Sequence, residues 1–153
     1  MPVVEIVDYC DEHYEAYRSI NYAWIEEYFT IEDEDRAKLD HPQENILDKG
    51  GIIVMALLDG KAVGTCSLLK HPKGRYELSK MAVTTEAQGQ GIGYKLGQHM
   101  INAAKKRGGS AIFLETNDRL APALKLYQKL GFKPMENEPS PYARCNVQLI
   151  IEF

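Results

Sequence analysis

The segment Gln88-Gly-Gln-Gly-Ile-Gly93 lies between an apolar strand-like run, Tyr76–Val83, and an amphipathic helix-like run, Tyr94–Arg107. That order suits anion binding. Glycines let the main chain approach a ligand closely, and the first turn of a helix leaves N–H groups without internal partners. The positive end of the helix dipole adds attraction for a phosphate or pyrophosphate. Spacing excludes two kinds of phosphate loop. A P-loop needs Lys and then Ser or Thr after its last glycine, and here Tyr94, Lys95 and Leu96 follow Gly93. A dinucleotide-binding turn needs Gly-x-Gly-x-x-Gly, whose third glycine would fall on Tyr94 or Leu96. A third pattern, Gln/Arg-x-x-Gly-x-Gly/Ala, is met by Gln88, Gly91 and Gly93. Taken alone, the segment also reads as a glycine-rich turn that only shapes a helix start.

Two further stretches accompany the loop. Glu77-Leu-Ser-Lys-Met-Ala-Val83 precedes it, and Leu124-Lys-Leu-Tyr-Gln-Lys-Leu-Gly-Phe132 follows, with Asn117 before that helix. In these motifs, their order and their spacing, the chain resembles the GCN5-related N-acetyltransferase (GNAT) family. The resemblance implies a mixed α+β fold. A central, mostly antiparallel sheet of about seven strands would carry a splayed parallel pair and be flanked by about four helices. It also implies acetyl-coenzyme A as acyl donor, its pyrophosphate on Gln88, Gly89, Gln90, Gly91, Ile92 and Gly93. The backbone of Met81, Ala82 and Val83 would hold the pantetheine arm and the acetyl oxygen, and Asn117 the arm or the helix start.

Acetyl transfer to an amine requires a held thioester, a neutral nucleophile and a protonated leaving thiolate. A protonated alkylamine has a pKa near ~10.4, so a base or a desolvating pocket must remove its proton. By the resemblance, Glu77 is the general base and Tyr127 the donor to the departing thiolate. Otherwise they read as a solvent-facing strand carboxylate and a core aromatic. Strand alternation puts Glu77, Ser79, Met81 and Val83 on one face, where desolvation would raise a carboxylate pKa. Lys80 then points away from that face, to pack against helices or to pair with an acid. Asn117 also reads as a plain cap or turn residue.

The acceptor side rests on Glu27, in the acidic run Glu26–Asp35, and on Arg144, suited to a bidentate pair with a substrate carboxylate. Their alternatives are a solvated helix face and an ordinary ion pair. The implied reaction is direct attack by a primary amine of a small molecule, an amino acid or a related amine, on the thioester. Alternatives are acetylation of protein N-termini or lysines, and a binding module that holds acyl-coenzyme A without turnover.

The elements that must position these groups follow from periodicity. Val3–Val7 reads as a strand, and His13–Phe29 as a helix with Tyr17, Ile20, Trp24 and Tyr28 as a core stripe. Asp40-His-Pro42 breaks the helical pattern. Ile52–Leu58 and Lys61–Leu69 flank the hairpin turn Asp59-Gly60, and His71–Gly74 turns into Tyr76–Val83, completing an antiparallel meander. After the loop, Ile92, Leu96, Met100 and Ala104 stripe a helix that ends at Gly108-Gly109. Ala111–Glu115 would lie parallel to Tyr76–Val83 across a right-handed crossover. Leu120–Leu130 is a helix, Phe132–Met135 a strand, Glu136–Pro141 a loop and Ala143–Glu152 a closing strand.

Length and composition describe one domain over residues 1–153, with 44% hydrophobic and 26% charged residues. A net charge of −4 gives no basic field for nucleic acid, and no apolar run has membrane-span length. The N-terminal residues lack a signal-peptide core, and the widely spaced Cys10, Cys66 and Cys145 read as reduced thiols of a cytoplasmic protein. His13, His41, His71 and His99 show no metal-ligand spacing. The family resemblance makes a homodimer through the closing strands the expected assembly.

Overall fold

The chain is described by a computed structural model over residues 3–136 and 138–153; residue 137 of the Glu136–Pro141 loop lies outside the described residues. Seven strands form one sheet in the order β1-β2-β3-β4-β5-β7-β6. They are β1 Val4–Asp8, β2 Ile52–Leu58, β3 Lys61–Lys70, β4 Arg75–Val83, β5 Ala111–Thr116, β6 Lys133–Pro134 and β7 Val147–Glu152. Four α-helices flank it: α1 Tyr14–Tyr28, α2 Asp33–Asp40, α3 Ile92–Lys106 and α4 Ala121–Leu130. Every neighbouring pair of strands is antiparallel except β4–β5. This is the expected meander, followed by a helical crossover into one parallel pair. Among the described residues no helix is long and apolar enough to cross a membrane.

The sheet is covered on both faces. Ile92, Leu96, Met100 and Ala104 of α3 are at most 2% exposed and pack on Val54, Cys66 and Leu68 of the strands. Each large aliphatic side chain buried this way stabilises by roughly 1.5–3 kcal/mol relative to exposure. α4 lies close on α3, because a Cβ at Gly97 would stand 2.5 Å from Leu130. On the other face Tyr17 and Ile25 of α1 and Leu39 of α2 pack on Ile53, Met55 and Leu69.

Several boundaries differ from the periodicity reading. The acidic run does not remain a solvated extension of the first helix. Its second half is α2, whose N-terminus is closed by the Glu32 N–H donating to Asp35 Oδ2 at 2.9 Å. A carboxylate in the first turn also complements the helix dipole. The expected core stripe of α1 is core only in part. Tyr17 and Ile20 are buried, but Tyr28 is 41% exposed, and Trp24 and Tyr28 line a groove. The closing strand starts at Val147 rather than Ala143, because Tyr142–Cys145 turns toward α2.

A bulge in β4 decides which way its side chains face. Opposite Thr65–Ser67, β4 supplies one residue more than β3, and Lys80 takes a positive φ of 52°. An extra strand residue reverses the alternation beyond it. Glu77 pairs with Leu69 and so faces α1 and α2, whereas Val83 pairs with Gly64, whose Cβ position faces Leu96 of α3. Glu77 and Ser79 therefore do not share a face with Val83, and Met81 likewise packs with the α3 cluster. The uninterrupted alternation expected for this strand is corrected by the bulge.

Candidate active site

β4 and β5 pair only through Arg75–Glu77 and Ala111–Phe113. From Leu78 onward the two strands diverge, so that edge of β4 carries main-chain groups without a strand partner. A cavity opens in the gap, lined by Leu78, Ser79 and Met81 from β4 and by Leu114, Glu115 and Thr116 from β5. A groove runs from it along Met81–Val83 to Gly89–Tyr94. Met81 and Tyr127 line both the cavity and the groove, so the two are continuous at these side chains.

The glycine loop is built to receive an anion. Gly89 and Gly91 adopt φ of 81° and 77°, conformations open to glycine and costly for other residues, and nothing stands within 4 Å of a Cβ at either position. Gly91 caps α3 in the left-handed conformation. Gln88 N–H donates to Thr85 and Lys95 N–H to Gly91, but none of the N–H groups of Gly89 through Tyr94 donates within the described chain. This unpaired main-chain cradle at a helix N-terminus fits a pyrophosphate. The Gln88 side chain instead donates to the Val83 carbonyl at 3.2 Å, tying the loop to the end of β4. Gln90 is exposed and outside the groove lining.

Glu77 sits where the strands part. Its side chain is 8% exposed, and Oε1 lies 2.9 Å from His71 Nε2. His71 follows the end of β3, where its N–H donates to the Arg75 carbonyl, and its ring stands edge-on to Phe113 with centroids 4.9 Å apart. Glu77 lines both the cavity and a second groove reached through His71, between α2 and Glu138–Pro141. Tyr127 comes from α4, its ring edge-on to Phe132. Among the described residues its hydroxyl has no hydrogen-bond partner within the chain. Burial first, and then the neighbouring Cys66, push the phenol pKa up. It therefore holds its proton at neutral pH, as a donor must.

Of three further groups expected at the site, Asn117 and Arg144 line the cavity with partners inside the chain, and Glu27 lies outside it. Asn117 Nδ2 donates to the Arg144 carbonyl at 2.8 Å, and its Oδ1 accepts from Arg119 N–H at 2.9 Å. That is a turn-forming role on the cavity wall. Glu27 is exposed on α1 and lies with Thr84–Gln88 outside the cavity. Arg144 does make a bidentate pair, but with Asp35, at 2.8 and 2.7 Å.

Asp35 is the centre of a buried ion cluster. It is fully buried and also accepts from Lys80 Nζ, whose side chain is 4% exposed. Burial alone would raise the Asp35 pKa, but the hydrogen bonds from Arg144 and Lys80 outweigh it and hold the carboxyl well below its usual range. Burial pulls Lys80 down to about 8 against the pull of Asp35. Tyr142 joins the cluster, its hydroxyl 2.9 Å from Lys80 Nζ. Lys80 thus pairs with an acid, as expected, but on the α1–α2 side that Glu77 also faces.

Glu115 in the cavity lining and His71 in the groove behind Glu77 were not singled out from the sequence, and Asp35 was read only as one member of the acidic run. His71 was legible in principle, since the hairpin turn already placed it across from Arg75 and next to Glu77. The three cysteines are free. Among the described residues Cys10, Glu12 and His13 bring possible metal-ligand atoms within 4.8 Å of one another, and none of them lines the cavity.

Comparison with known proteins agrees with this geometry. A family profile described as "Acetyltransferase (GNAT) family" matches residues 11–132. N-acetylaspartate synthetase of Rattus norvegicus is 34% identical over 87 residues, which cover 56% of this chain and 29% of that protein. The chain spans less than two thirds of the length of the curated relatives it matches. An acetyltransferase of the GNAT family from Staphylococcus aureus superposes with a TM-score of 0.89 at 22% identity, covering 98% of this chain and 99% of that one. The PaiA N-acetyltransferase of Thermoplasma acidophilum, solved in complex with coenzyme A, superposes with a TM-score of 0.79 at 18% identity over 99% of both chains. GNAT acetyltransferases use acetyl-coenzyme A. With the open β4 edge, the unpaired glycine cradle and a family match over most of its length, the chain belongs to the GNAT family of acetyltransferases.

Proposed function

We propose that this protein transfers an acetyl group from acetyl-coenzyme A to a primary amine of a small molecule, by direct attack of the neutral amine on the thioester. The observation that carries this reading is the continuity of groove and cavity. Met81 and Tyr127 belong to both, so a donor held at the glycine loop has its reactive end in the space that Glu77 lines. The residues present fit the donor. The N–H groups from Gly89 to Tyr94 would hold its pyrophosphate, and the open edge of β4 beyond Glu77 its pantetheine arm. Acetyl-coenzyme A supplies the activated acetyl group.

Glu77 takes the proton from the incoming ammonium, with its carboxylate fixed by His71. Tyr127 gives a hydrogen bond or its proton to the leaving sulfur. The main chain at the bulge, around Met81, polarises the carbonyl oxygen. A small acceptor is favoured because Tyr142 and Arg144 line the cavity and are held there by Asp35 and Lys38 of α2 and by Lys80 of β4. Thiol release from acetyl-coenzyme A across a panel of small amines and peptides tests the proposal. Coenzyme binding without acceptor-dependent release from any amine would leave a binding module instead.

Two variants probe separate parts of this machinery. Tyr127→Phe is expected to lower kcat by about 10²-fold, the lower range for a lost proton donor, while the acetyl-coenzyme A dissociation constant stays within about threefold. Unfolding of that variant would mean that the ring serves the core instead. Gly91→Ala places a side chain at φ 77°, costing ~1 kcal/mol of stability, and stands a methyl in the cradle. Its expected signature is a weaker coenzyme dissociation constant, by about tenfold or more, read by calorimetry against a small fall in Tm.

A further inference from the structure

The charged groups of the cavity are nearly all paired within the chain. Asp35 holds Arg144 and Lys80, the cations of the cavity wall, and Glu77 faces His71. Glu115 is the exception. It lies two residues beyond Phe113, where β5 has parted from β4. Alternation puts it on the face of Phe113, which is also the face of Glu77, since Phe113 is the β5 partner of Glu77. Its Oε2 is shut off from solvent and has no nitrogen or oxygen donor among the described residues. Glu115 lines both the cavity and the groove beyond His71. The Cys145 thiol beside it hydrogen-bonds to Glu115, which after burial raises the thiol pKa, but a neutral S–H is a weak donor and brings no positive charge.

A half-buried carboxylate served only by a neutral thiol lacks a counter-charge, which a cationic ligand can supply. We infer that Glu115 anchors the acceptor by a second cationic nitrogen, so that the preferred substrates are diamines with a short aliphatic spacer. This rests on the acetyltransferase reading above. The nitrogen that attacks must be neutral, so it can offer a carboxylate anchor no positive charge. The cation on Glu115 is therefore a different nitrogen from the one delivered to Glu77. One inter-strand spacing of ~4.8 Å combined with a rise of ~7 Å for two residues puts Glu77 and Glu115 at least roughly 8 Å apart, a span for the two nitrogens of an aliphatic diamine. The same charges disfavour an α-amino acid. Its carboxylate would meet Glu77 and Glu115, while Arg144 and Lys80 are already held by Asp35.

The test compares 1,4-diaminobutane, n-butylamine and glycine as acceptors, by thiol release from acetyl-coenzyme A. For wild type, kcat/KM is expected to favour the diamine over the monoamine by about tenfold or more, the worth of one charge-assisted hydrogen bond. In Glu115→Gln that ratio falls to about one, through KM, with no loss of Tm because an unpaired charge is removed. A wild-type ratio near one, a preference for glycine, or a ratio that survives in Glu115→Gln overturns the inference. Should Glu115→Gln not fold, Glu115→Asp keeps the charge on an arm shorter by one methylene. It is expected to move the preference to a longer diamine, and an unchanged preference overturns the inference. If no amine is acetylated, the transferase reading fails on its own. The anchor is then read by titrating 1,4-diaminobutane into the protein with coenzyme A present. Binding about tenfold weaker in Glu115→Gln supports it, and equal or absent binding overturns it.

Discussion

Glu77→Gln is expected to lower kcat for acetyl transfer by about 10²–10⁴-fold, the range in which a positioned general base contributes. The substitution is nearly isosteric. Gln keeps a hydrogen-bonding partner for His71 Nε2, now 2.9 Å from the Glu77 carboxylate, so Tm should hold. The coenzyme dissociation constant should hold as well, because Glu77 does not line the groove that runs to the glycine loop. What is lost is the acceptor of the amine proton, and this predicts a signature in pH. A free alkylamine is neutral only toward its pKa of ~10.4, so the residual rate of the variant should climb with pH more steeply than that of wild type. A variant with wild-type turnover and an unchanged pH profile would move the base elsewhere on the wall, with Glu115 the next carboxylate along it.

Local chemistry was readable in the sequence wherever one segment carries the whole device. The glycine loop is such a case. Its left-handed residues, its helix start and its unpaired N–H groups lie within Gln88–Lys95, and the spacing of Gln88, Gly91 and Gly93 displays them. The meander and the parallel crossover were also legible, since the turn residues and the α3 stripe set strand direction. The bulge was not. Lys80 at φ 52° carries no glycine or asparagine to mark it, and one extra residue was enough to separate Glu77 from Val83 across the sheet. Arg144 was read as a grip for a substrate carboxylate, with an ion pair inside the chain as the alternative, and the structure contains such a pair. The sequence showed an arginine able to grip a carboxylate but not that Asp35 lies within 2.8 Å of it. Asp35 itself was one acid in a run of acids. Only tertiary packing separates the fully buried Asp35 from the fully exposed Asp33. Glu115 was read as the last residue of a strand, and its missing partner becomes visible only where β5 leaves β4.

Asp35→Ala is expected to destabilise the protein by about 3–5 kcal/mol, because it leaves Lys80 and Arg144 buried without their counter-charge. The cost is not that of one surface ion pair. Side-chain exposures of 0% for Asp35, 4% for Lys80 and 17% for Arg144 leave little water to take over. The same cluster holds the strained Lys80 backbone and draws Tyr142–Arg144 onto α2, so the variant should also lose kcat/KM for the amine while the glycine loop still binds coenzyme. Wild type carries the matching pH signature. The folded-state pKa of Asp35 lies below its ordinary value of 3.8, so its contribution is complete above that value and is lost as the pH falls below it. Chemical denaturation at pH 7 and pH 3 should therefore show a smaller gap between wild type and Asp35→Ala at the lower pH. Equal stability of the two proteins at pH 7 would mean that Lys80 and Arg144 find water or another acid when Asp35 is gone, and that the cluster does not hold the wall of the cavity.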